Sequence, residues 1–422
     1  MKILIVGGGG REHALIWRIV NNPEGEKHEI YCAPGNGGIA GLARCVDIKA
    51  TDVAALVDFA ASEGIEYTII GMDDPLALGV VDAFEARGLR VFGPRREAAK
   101  LEWSKVYAKN FMRKYGIPTA EYEVFADYEA ARGYVAAAEW PLVVKADGLA
   151  LGKGVYVCKD LAQAEAALAE LMVEQKFGAS GGRVVIEQCL TGVEVSVMAF
   201  CDGETIAPMP AAMDYKRAFD RDEGPNTGGM GAVCPSPFYT PEIAERCRSE
   251  IFLPTIAGLK AENVEYKGFL YFGLMLTSRG PYVIEYNARL GDPEIQAILP
   301  LLRTDILKVC SACDNKTLDK LKISWDNVKS VVCVVAVSGG YPDGYEVGFP
   351  VLGLDSPELG IAFHAGTKMI VGKTDEYVTA GGRVLGVSCL GDSTSEAARR
   401  AYDAISRISF RGMRYRSDIG RL

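Results

Sequence analysis

The sequence predicts a multidomain protein that combines α/β and α+β units. Its 422 residues exceed the length of a typical single domain. Short apolar runs alternate with helical patterns through the first hundred residues. This alternation is typical of a parallel sheet with crossover helices. Further along, the spacing lengthens and a glycine-rich strand–loop–strand appears, so we expect additional units of a different architecture.

The N-terminal unit, residues 1–101, is predicted to be a Rossmann-like parallel sheet. "KILIV" forms its first strand, and the turn "GGGGREH" opens its first helix. The strands "EIYCA", "YTIIG" and "RVFG" follow. Backbone N–H groups at such a helix start can bind an anion. The dinucleotide motif needs a third glycine where this chain has Glu12. A phosphate- or carboxylate-binding turn is therefore favoured over a nicotinamide or flavin site, with purely structural glycines as the alternative.

The central unit, residues 102–326, is predicted to carry a small flap lobe at about 122–190. Its hairpin reads "PLVVKADGLALGKGVYVC". The first strand delivers Lys145 and the loop carries Lys153, so the hairpin can close two ammonium groups and backbone N–H groups over a polyphosphate. It is not a Walker A loop, because Gly154 stands where that motif needs Ser or Thr.

Two later segments of the central unit add oxygen ligands. The strand "VVIEQCL" brings Glu187 and Leu190, with Glu194 just beyond, groups that suit an adenine edge and ribose hydroxyls. In "VIEYNARLGDPE", Glu285 and Asn287 are two apart and share one strand face. Carboxylate and amide oxygens suit Mg²⁺, which takes few protein ligands. We therefore expect a metal–triphosphate site at this strand end.

The third unit, residues 327–422, is predicted to be a small α/β domain. It begins with the buried strand "SVVCVVAV" and ends in an amphipathic helix from about 394 to 408. The net charge of −9 argues against nucleic-acid and membrane-surface partners. No segment reaches the roughly 18 apolar residues of a membrane span. The N-terminus reads as a strand, not a signal peptide, and scattered cysteines indicate a reducing compartment. We expect a cytoplasmic protein.

The order of these groups along the chain resembles the ATP-grasp superfamily of carboxylate–amine ligases. Five blocks, from residue 1 to about 420, resemble the phosphoribosylamine–glycine ligase family: "GGGGREHAL", "GPNTGGMGA", "RLGDPEIQ", "FHAGTK" and "GGRVL". The resemblance implies a central two-lobed ATP-grasp fold. It also implies ATP-dependent ligation of glycine to 5-phosphoribosylamine through glycyl phosphate, with Mg²⁺ or Mn²⁺. The products would be glycinamide ribonucleotide, ADP and phosphate, in the second step of purine synthesis. We expect a monomer, with a weak homodimer as the alternative.

The resemblance also implies roles for individual residues. ATP would be bound by Lys105, Lys145, Lys153, Glu187, Leu190 and Glu194. Glu285 and Asn287 would hold the metal. The catalytic residues would be Arg289, Asp292 and Asp214. Substrates would be bound by Gly9, Arg11, Asp73, Lys216, Arg217, Asn226, Thr227, Lys368 and Arg383, the last two facing the sugar 5-phosphate.

The chain departs from the family pattern at three positions. Asp73 stands where a longer Glu is usual, and Tyr215 replaces a His, which removes an imidazole from the expected acceptor pocket. Trp103 replaces a small residue near the expected ATP entrance. Many ATP-grasp enzymes have another metal-binding Glu near the place of Gly273. Three alternatives stay open: an ATP-grasp ligase with another acceptor, such as an aminoimidazole nucleotide carboxylase; a non-catalytic nucleotide-binding or regulatory protein; and a nicotinamide dehydrogenase.

Overall fold

The N-terminal unit of the computed structural model contains the predicted parallel sheet. The structure describes residues 1–149, 154–176, 181–356, 358–370, 372–373 and 376–421. The strands are β1 (Lys2–Gly7), β2 (Glu29–Pro34), β3 (Arg44–Cys45), β4 (Tyr67–Ile70) and β5 (Val91–Phe92). The helices are α1 (Gly10–Val20), α2 (Val53–Glu63), α3 (Asp73–Ala77), α4 (Val80–Ala86) and α5 (Arg96–Trp103). The sheet order is β3-β2-β1-β4-β5, with parallel pairing throughout.

The complete burial of β1 agrees with a parallel sheet, and Gly79 explains why two helices form where one was predicted. The apolar residues 3–6 of β1 are fully buried, as both faces of a parallel strand should be. The sequence predicts a single helix over 76–88, but the structure has α3 and α4 there. The two helices separate at Gly79, whose φ of +81° lies in the left-handed region that favours glycine.

The flap lobe forms a four-stranded antiparallel sheet. After α6 (Lys105–Lys114) come β6 (Tyr122–Phe125), α7 (Tyr128–Ala136), β7 (Leu142–Ala146), β8 (Val155–Cys158), α8 (Leu161–Leu168) and β9 (Val184–Gln188). The strand order is β6-β9-β7-β8. The last turn before residue 174 has π-helical geometry, which extends α8 through Val173. Apolar side chains of α7 and α8 pack on one face of this sheet and form a separate small core.

The second lobe of the central unit is built around long antiparallel strands. The strands are β10 (Val193–Cys201), β11 (Ile206–Pro208), β12 (Met213–Asp214), β13 (Arg217–Phe219), β14 (Glu223–Asn226), β15 (Gly231–Cys234), β16 (Gly268–Thr277) and β17 (Gly280–Asn287). The helices are α9 (Pro241–Cys247), α10 (Leu253–Ala261), α11 (Glu294–Ile298) and α12 (Ile306–Asp314). Four strands form an antiparallel sheet, β11-β10-β16-β17, and β13 pairs with β14 as a hairpin.

The C-terminal unit shares its sheet with the central unit. Its elements are β18 (Ser330–Val337), β19 (Pro350–Val351), β20 (Ile361–His364), β21 (Thr367–Met369), β22 (Tyr377–Thr379), β23 (Arg383–Gly391) and α13 (Thr394–Ile405). The sheet order is β12-β15-β18-β23-β20, and β19-β22-β21 form a smaller sheet. Antiparallel pairing runs from Gly231 opposite Val334 to Cys234 opposite Val331. The domain boundaries predicted after residues 101 and 326 remain predictions. Helix α5 spans the first boundary, and this sheet contains strands from both sides of the second.

The fold brings the ends of the N-terminal strands to the C-terminal unit. The side-chain amide of Asn36, just after β2, donates to the carbonyls of Gly8 (3.0 Å) and His364 (2.8 Å). This contact places the glycine-rich turn before α1 beside the C-terminal sheet. Loops at the carboxyl ends of parallel strands are the usual ligand-binding edge. All eleven cysteines are free thiols, and no helix in the described ranges is long and apolar enough to cross a membrane.

Candidate active site

A cavity of about 580 Å³ is lined by residues from all three units. Twelve of the predicted site residues line it: Arg11, Asp73, Lys105, Lys145, Asp214, Lys216, Thr227, Glu285, Asn287, Arg289, Asp292 and Arg383. These residues come from strand ends, helix starts and connecting loops that are far apart in the sequence. The cavity is therefore where the structure brings most of the predicted chemistry together.

The end of β17 supplies the predicted metal ligands. Glu285 lies opposite Gly273 of β16, and Asn287 lies opposite Tyr271, so both side chains occupy one face of the strand pair. Burial opposes ionisation of Glu285, but Lys216, Lys145 and Lys105 together hold its pKa below the usual value. A Cβ at Gly273 would lie 3.1 Å from Cγ of Glu285, so this position directly faces the carboxylate.

Arg289 is a fixed, charged guanidinium next to these ligands. Its Nη2 lies 3.0 Å from Oε1 of Glu102 and donates to Oδ1 of Asn287 at 3.1 Å. Its Nη1 donates to the carbonyl of Leu290 at 3.1 Å. Burial disfavours the charge, yet the carboxylates of Glu102 and Asp73 raise the pKa of Arg289 above its usual value. The guanidinium therefore stays charged inside the cavity wall.

Lysines line the side of the cavity expected to bind ATP. Lys105 begins α6, and its Nζ donates to the carbonyl of Gly148 in the flap hairpin (3.0 Å). Burial lowers the pKa of Lys105, and the nearby charge of Lys145 lowers it further. Lys145 and Lys109 both form ion pairs with Glu187. Burial lowers the pKa of Lys109 to about 8.

The remaining residues predicted to bind ATP occupy different places. Glu187 is buried behind the cavity wall, where Lys145 and Lys109 outweigh the effect of burial and lower its pKa. Leu190 is half-buried in the loop after β9 and does not line the cavity. Glu194 accepts a hydrogen bond from Nζ of Lys216 at 2.6 Å. Lys153 lies outside the described residues.

Two buried carboxyl groups form an acidic corner of the cavity. Oδ1 of Asp214 is buried and has no hydrogen-bond partner in the described structure. Burial, followed by the neighbouring charge of Glu294, raises the pKa of Asp214 well above its usual value. Oε1 of Glu294 accepts hydrogen bonds from the hydroxyls of Tyr271 (2.7 Å) and Ser196 (3.0 Å). An unsatisfied buried carboxyl oxygen suits a positively charged or hydrogen-bond-donating ligand.

Asp292 lies where the glycine-rich turn meets the C-terminal unit. Its Oδ1 accepts from the amide of Gln296 (2.7 Å) and lies 3.2 Å from Nη1 of Arg383. A Cβ at Gly9 would be 3.4 Å from Oδ2 of Asp292, so the turn approaches this carboxylate closely. Burial opposes ionisation, but Arg383 and Arg11 hold the pKa of Asp292 below its usual value.

The residues expected to bind the other substrate are divided between places. Thr227 lines the main cavity, and its hydroxyl donates to the carbonyl of Lys216 (2.8 Å). Arg217 and Asn226, on the β13–β14 hairpin, line a second cavity of about 520 Å³. The two cavities share lining residues from β8 and from the loop after β18. Lys368 is exposed on β21 and lines neither cavity, whereas Arg383 lines the main one.

The expectation that position 215 belongs to the acceptor pocket is wrong. Asp214 and Lys216 face the cavity, and the side chain between them points the opposite way. The hydroxyl of Tyr215 accepts from the backbone N–H of Gly420 (3.2 Å), and the guanidinium of Arg416 lies 5.0 Å from its ring centre. Tyr215 therefore anchors the C-terminal segment.

Trp103, expected near the ATP entrance, does not line the cavity, although Glu102 and Lys105 on either side of it do, so that expectation stays a prediction. Its indole N–H donates to the carbonyl of Arg96 (3.1 Å), and the Arg96 guanidinium lies 5.4 Å from the ring. Trp103 therefore packs on its own helix and is absent from the cavity lining. Asp73, by contrast, lines the cavity, and the charges of Arg289 and Arg11 lower its pKa against the effect of burial.

The donor set at the end of β17 fits a hard divalent cation. No cluster of three or more His, Cys, Asp or Glu side chains suited to a metal occurs among the described residues. A magnesium-type ion does not need one, because it commonly takes one or two protein oxygens and completes its shell with water and phosphate. The carboxylate of Glu285 and the amide oxygen of Asn287 are ligands of that kind.

Among the side chains that line this cavity, the sequence-based prediction assigned no role to Glu102, Lys109, Tyr271 and Glu294. Lys109 follows Lys105 by four residues on α6, so helical periodicity places both on one face. Tyr271 and Gly273 share a strand face by alternation. The sequence therefore contained a usable pattern for Lys109 and another for Tyr271. The contact of Glu102 with the residue after Asn287 joins positions 186 apart in the chain, and no local pattern indicates it.

Comparison with known proteins relates the whole chain to one family. Models described as phosphoribosylglycinamide synthetase match as the N domain over residues 1–102, the ATP-grasp (A) domain over 103–295 and the C domain over 331–422. A phosphoribosylamine–glycine ligase of Caldanaerobacter subterraneus subsp. tengcongensis is 47% identical over 99% of both chains. One of Allochromatium vinosum is 48% identical over 100% of this chain and 98% of its own. The crystal structure of the Thermotoga maritima enzyme of that name superposes with a TM-score of 0.85, at 34% identity, covering 99% of this chain and 100% of its own.

Proposed function

The chain belongs to the phosphoribosylglycinamide synthetase family, and on that premise we propose its reaction and the residues that perform it. It is an ATP-dependent carbon–nitrogen ligase of purine biosynthesis. It joins glycine to 5-phosphoribosylamine and releases glycinamide ribonucleotide, ADP and phosphate. The observation that carries the proposal is the convergence of Glu285, Asn287, Arg289 and Lys145 with Asp214 in one cavity.

The first step forms an acyl phosphate. A carboxylate oxygen of glycine attacks the γ-phosphorus of ATP, the bond to the β-phosphate bridging oxygen breaks, and ADP leaves. Lys105 and Lys145 bind phosphate oxygens, and Arg289 stabilises the charge on the transferring group. The step needs no protein nucleophile, because positioning and charge neutralisation carry phosphoryl transfer.

A divalent metal, Mg²⁺ or Mn²⁺, bound by Glu285 and Asn287, would neutralise charge on the phosphate oxygens. The two side chains are ready for this role because both lie on one strand face. The lysines that lower the pKa of Glu285 keep its carboxylate ionised. Lys153 would also bind ATP phosphate oxygens, as the family resemblance implies.

The second step forms the amide. The amine nitrogen of phosphoribosylamine attacks the carbonyl carbon of glycyl phosphate, and phosphate leaves. The nitrogen gives up one proton, which the leaving phosphate accepts. Asp292 and Arg383 orient the amine and its sugar, and Asp214 with Glu294 forms the corner that takes the glycine ammonium group.

The proposal is tested by substrate-dependent product formation. The enzyme is incubated with ATP, Mg²⁺ and glycine, with and without phosphoribosylamine generated in place. We expect ADP release to need both substrates, and glycinamide ribonucleotide to appear by mass spectrometry. ADP release supported by a different amine or carboxylate would overturn the assigned substrates.

Isotope transfer tests the acyl phosphate. Glycine labelled with ¹⁸O in its carboxylate should deliver one labelled oxygen to the phosphate released in each turnover, because that oxygen bridges carbon and phosphorus in the intermediate. Unlabelled phosphate, with labelled amide product, would exclude glycyl phosphate and leave the overall ligation intact.

A further inference from the structure

The carboxylate of Glu102 bridges two consecutive residues at the end of β17. Its Oε2 accepts a hydrogen bond from the backbone N–H of Ala288 at 2.7 Å, and its Oε1 lies 3.0 Å from Nη2 of Arg289. Only 8% of Glu102 is exposed. One side chain therefore holds both the backbone and the guanidinium just beyond Asn287.

Glu102 reaches this place from a different part of the fold. It lies in the last turn of α5, the helix that connects the N-terminal sheet to the central unit. Two residues later, Ser104 caps α6 and donates its hydroxyl to Oδ1 of Asp147, at the base of the flap hairpin (3.0 Å). The short segment 102–104 thus touches both the strand end with the proposed metal ligands and the hairpin with Lys145.

The partners of Arg289 show why a carboxylate is needed here. Its other side-chain acceptor is Oδ1 of Asn287, the oxygen assigned above to the metal. An oxygen that coordinates a cation is a poor partner for a guanidinium, because the two positive charges repel each other. Burial raises the pKa of Glu102 to about 7, and the charge of Arg289 opposes that rise. In its ionised form Glu102 is a charged acceptor that does not compete with the metal, and charge-assisted hydrogen bonds of this kind are the stronger ones.

We propose that Glu102 is a positioning residue, which orients Arg289 and the end of β17 for phosphoryl transfer without contacting the reacting atoms. The proposal rests on the function proposed above. It predicts that the carboxylate acts through Arg289, so its removal matters only while that guanidinium is present.

A double-mutant cycle tests the proposal. Glu102→Gln keeps an acceptor for the Ala288 N–H and removes the charge. We expect kcat to fall by about tenfold or more, as for other residues that orient active-site groups, with the KM for ATP changed less than about twofold. In an Arg289→Ala background, Glu102→Gln should lower the residual rate by less than about twofold. Glu102→Asp, which restores the charge on a shorter side chain, should recover part of the loss.

The controls separate positioning from folding and from direct contact. Glu97→Gln removes an exposed carboxylate on the same helix, one that pairs only with Lys100 in the described structure, and kcat should not change. A loss from Glu102→Gln that is equally large in the Arg289→Ala background would overturn the proposal. So would a kcat for Glu102→Gln within twofold of the wild-type value. If Glu102→Gln does not fold, Glu102→Asp and Arg289→Lys enter the same cycle. Failure of the wild-type enzyme to make glycinamide ribonucleotide would instead refute the proposed function.

Discussion

At the scale of single residues, charge in this cavity is set by neighbours more than by burial. Burial alone would favour neutral forms of both Glu285 and Arg289. Three lysines keep Glu285 ionised, and two carboxylates keep Arg289 charged. Asp214 is the contrasting case, because burial and Glu294 both raise its pKa. The same cavity therefore holds permanent charges for phosphate and a carboxyl group suited to exchanging a proton.

Removing either of two cations should lower catalysis strongly. We expect Arg289→Ala and Lys145→Ala each to lose about 2–4 kcal/mol of transition-state stabilisation, as for other fixed electrostatic groups. The measurement is kcat/KM for ATP-dependent ligation. Arg279→Ala, an exposed arginine on the turn between β16 and β17, is the matched control and should retain normal kinetics. Turnover near the wild-type value in either cavity variant would exclude the role given to that residue.

Tyr215→His should change stability more than kinetics. The side chain faces the C-terminal segment, so the substitution loses the acceptor for Gly420 and alters the contact with Arg416. We expect the free energy of unfolding to fall by about 1–2 kcal/mol, and the KM for phosphoribosylamine to stay within twofold. Urea unfolding and steady-state kinetics measure the two quantities. Lys216→Met, one residue further and inside the cavity, should show the reverse pattern. A large change in KM for Tyr215→His would contradict the orientation described here.

At the scale of elements, the pairing of β16 with β17 determines where the proposed metal ligands point. Glu285 faces Gly273 across the strand pair, and the absence of a side chain there leaves room for the carboxylate. The register of the β16–β17 pair shifts between Gly273 and Leu274, as at a β-bulge. Bulges commonly re-aim side chains near active sites.

Gly273→Ala should weaken metal activation. The added Cβ would lie 3.1 Å from Cγ of Glu285, closer than ordinary van der Waals contact, so the carboxylate must shift. We expect the Mg²⁺ concentration for half-maximal activity to rise several-fold, and the free energy of unfolding to change by less than about 1 kcal/mol. Activity measured against free Mg²⁺ at saturating ATP gives the first value. An unchanged activation curve would mean that Glu285 does not bind the metal.

Local sequence order predicted much of this site, and long-range packing limited the rest. Glu285, Asn287, Arg289 and Asp292 follow one another closely, so strand alternation and the loop composition were enough to place them together. Arg383 and Lys368 were both assigned to the sugar phosphate through the resemblance alone. Arg383 lines the main cavity, whereas Lys368 is exposed and lines neither cavity.

The strand–helix alternation predicted the N-terminal sheet correctly for a similar physical reason. Each βα unit is defined by neighbouring residues, and the sheet follows from stacking such units. The sheet that joins the central and C-terminal units could not be predicted in that way. It depends on β15 pairing with β18, and hydrophobic runs alone do not specify which strands become partners.

At the scale of the whole molecule, a buried pair of histidines joins the first helix to the C-terminal sheet. Nδ1 of His13, on α1, accepts from the backbone N–H of His364, on β20 (2.8 Å). The ring of His364 in turn lies 2.9 Å, Nδ1 to Oγ1, from Thr367. Burial lowers the pKa of His13 to about 3 and that of His364 to about 4. Both rings are therefore neutral in the folded protein at pH 7.

These histidines should make the protein less stable in mild acid. Unfolding returns each pKa to its usual value of 6.5, so the unfolded chain takes up more protons as the pH falls below that value. Each ring should then contribute a loss of about 2 kcal/mol in unfolding free energy between pH 6.5 and pH 5. Urea unfolding at several pH values, compared with a His13→Gln/His364→Gln double variant, isolates this contribution. Equal pH dependence in the two proteins would show that the histidines are already solvated in the native state.

The shared sheet also affects how the chain reaches its native state during synthesis. β15 leaves the ribosome long before β18 exists, and until then one edge of β15 carries unpaired backbone groups. The nascent chain therefore exposes an unpaired strand edge until residues 330–337 are made and β18 covers it. A prematurely terminated chain would be an aggregation hazard instead of a weakened enzyme.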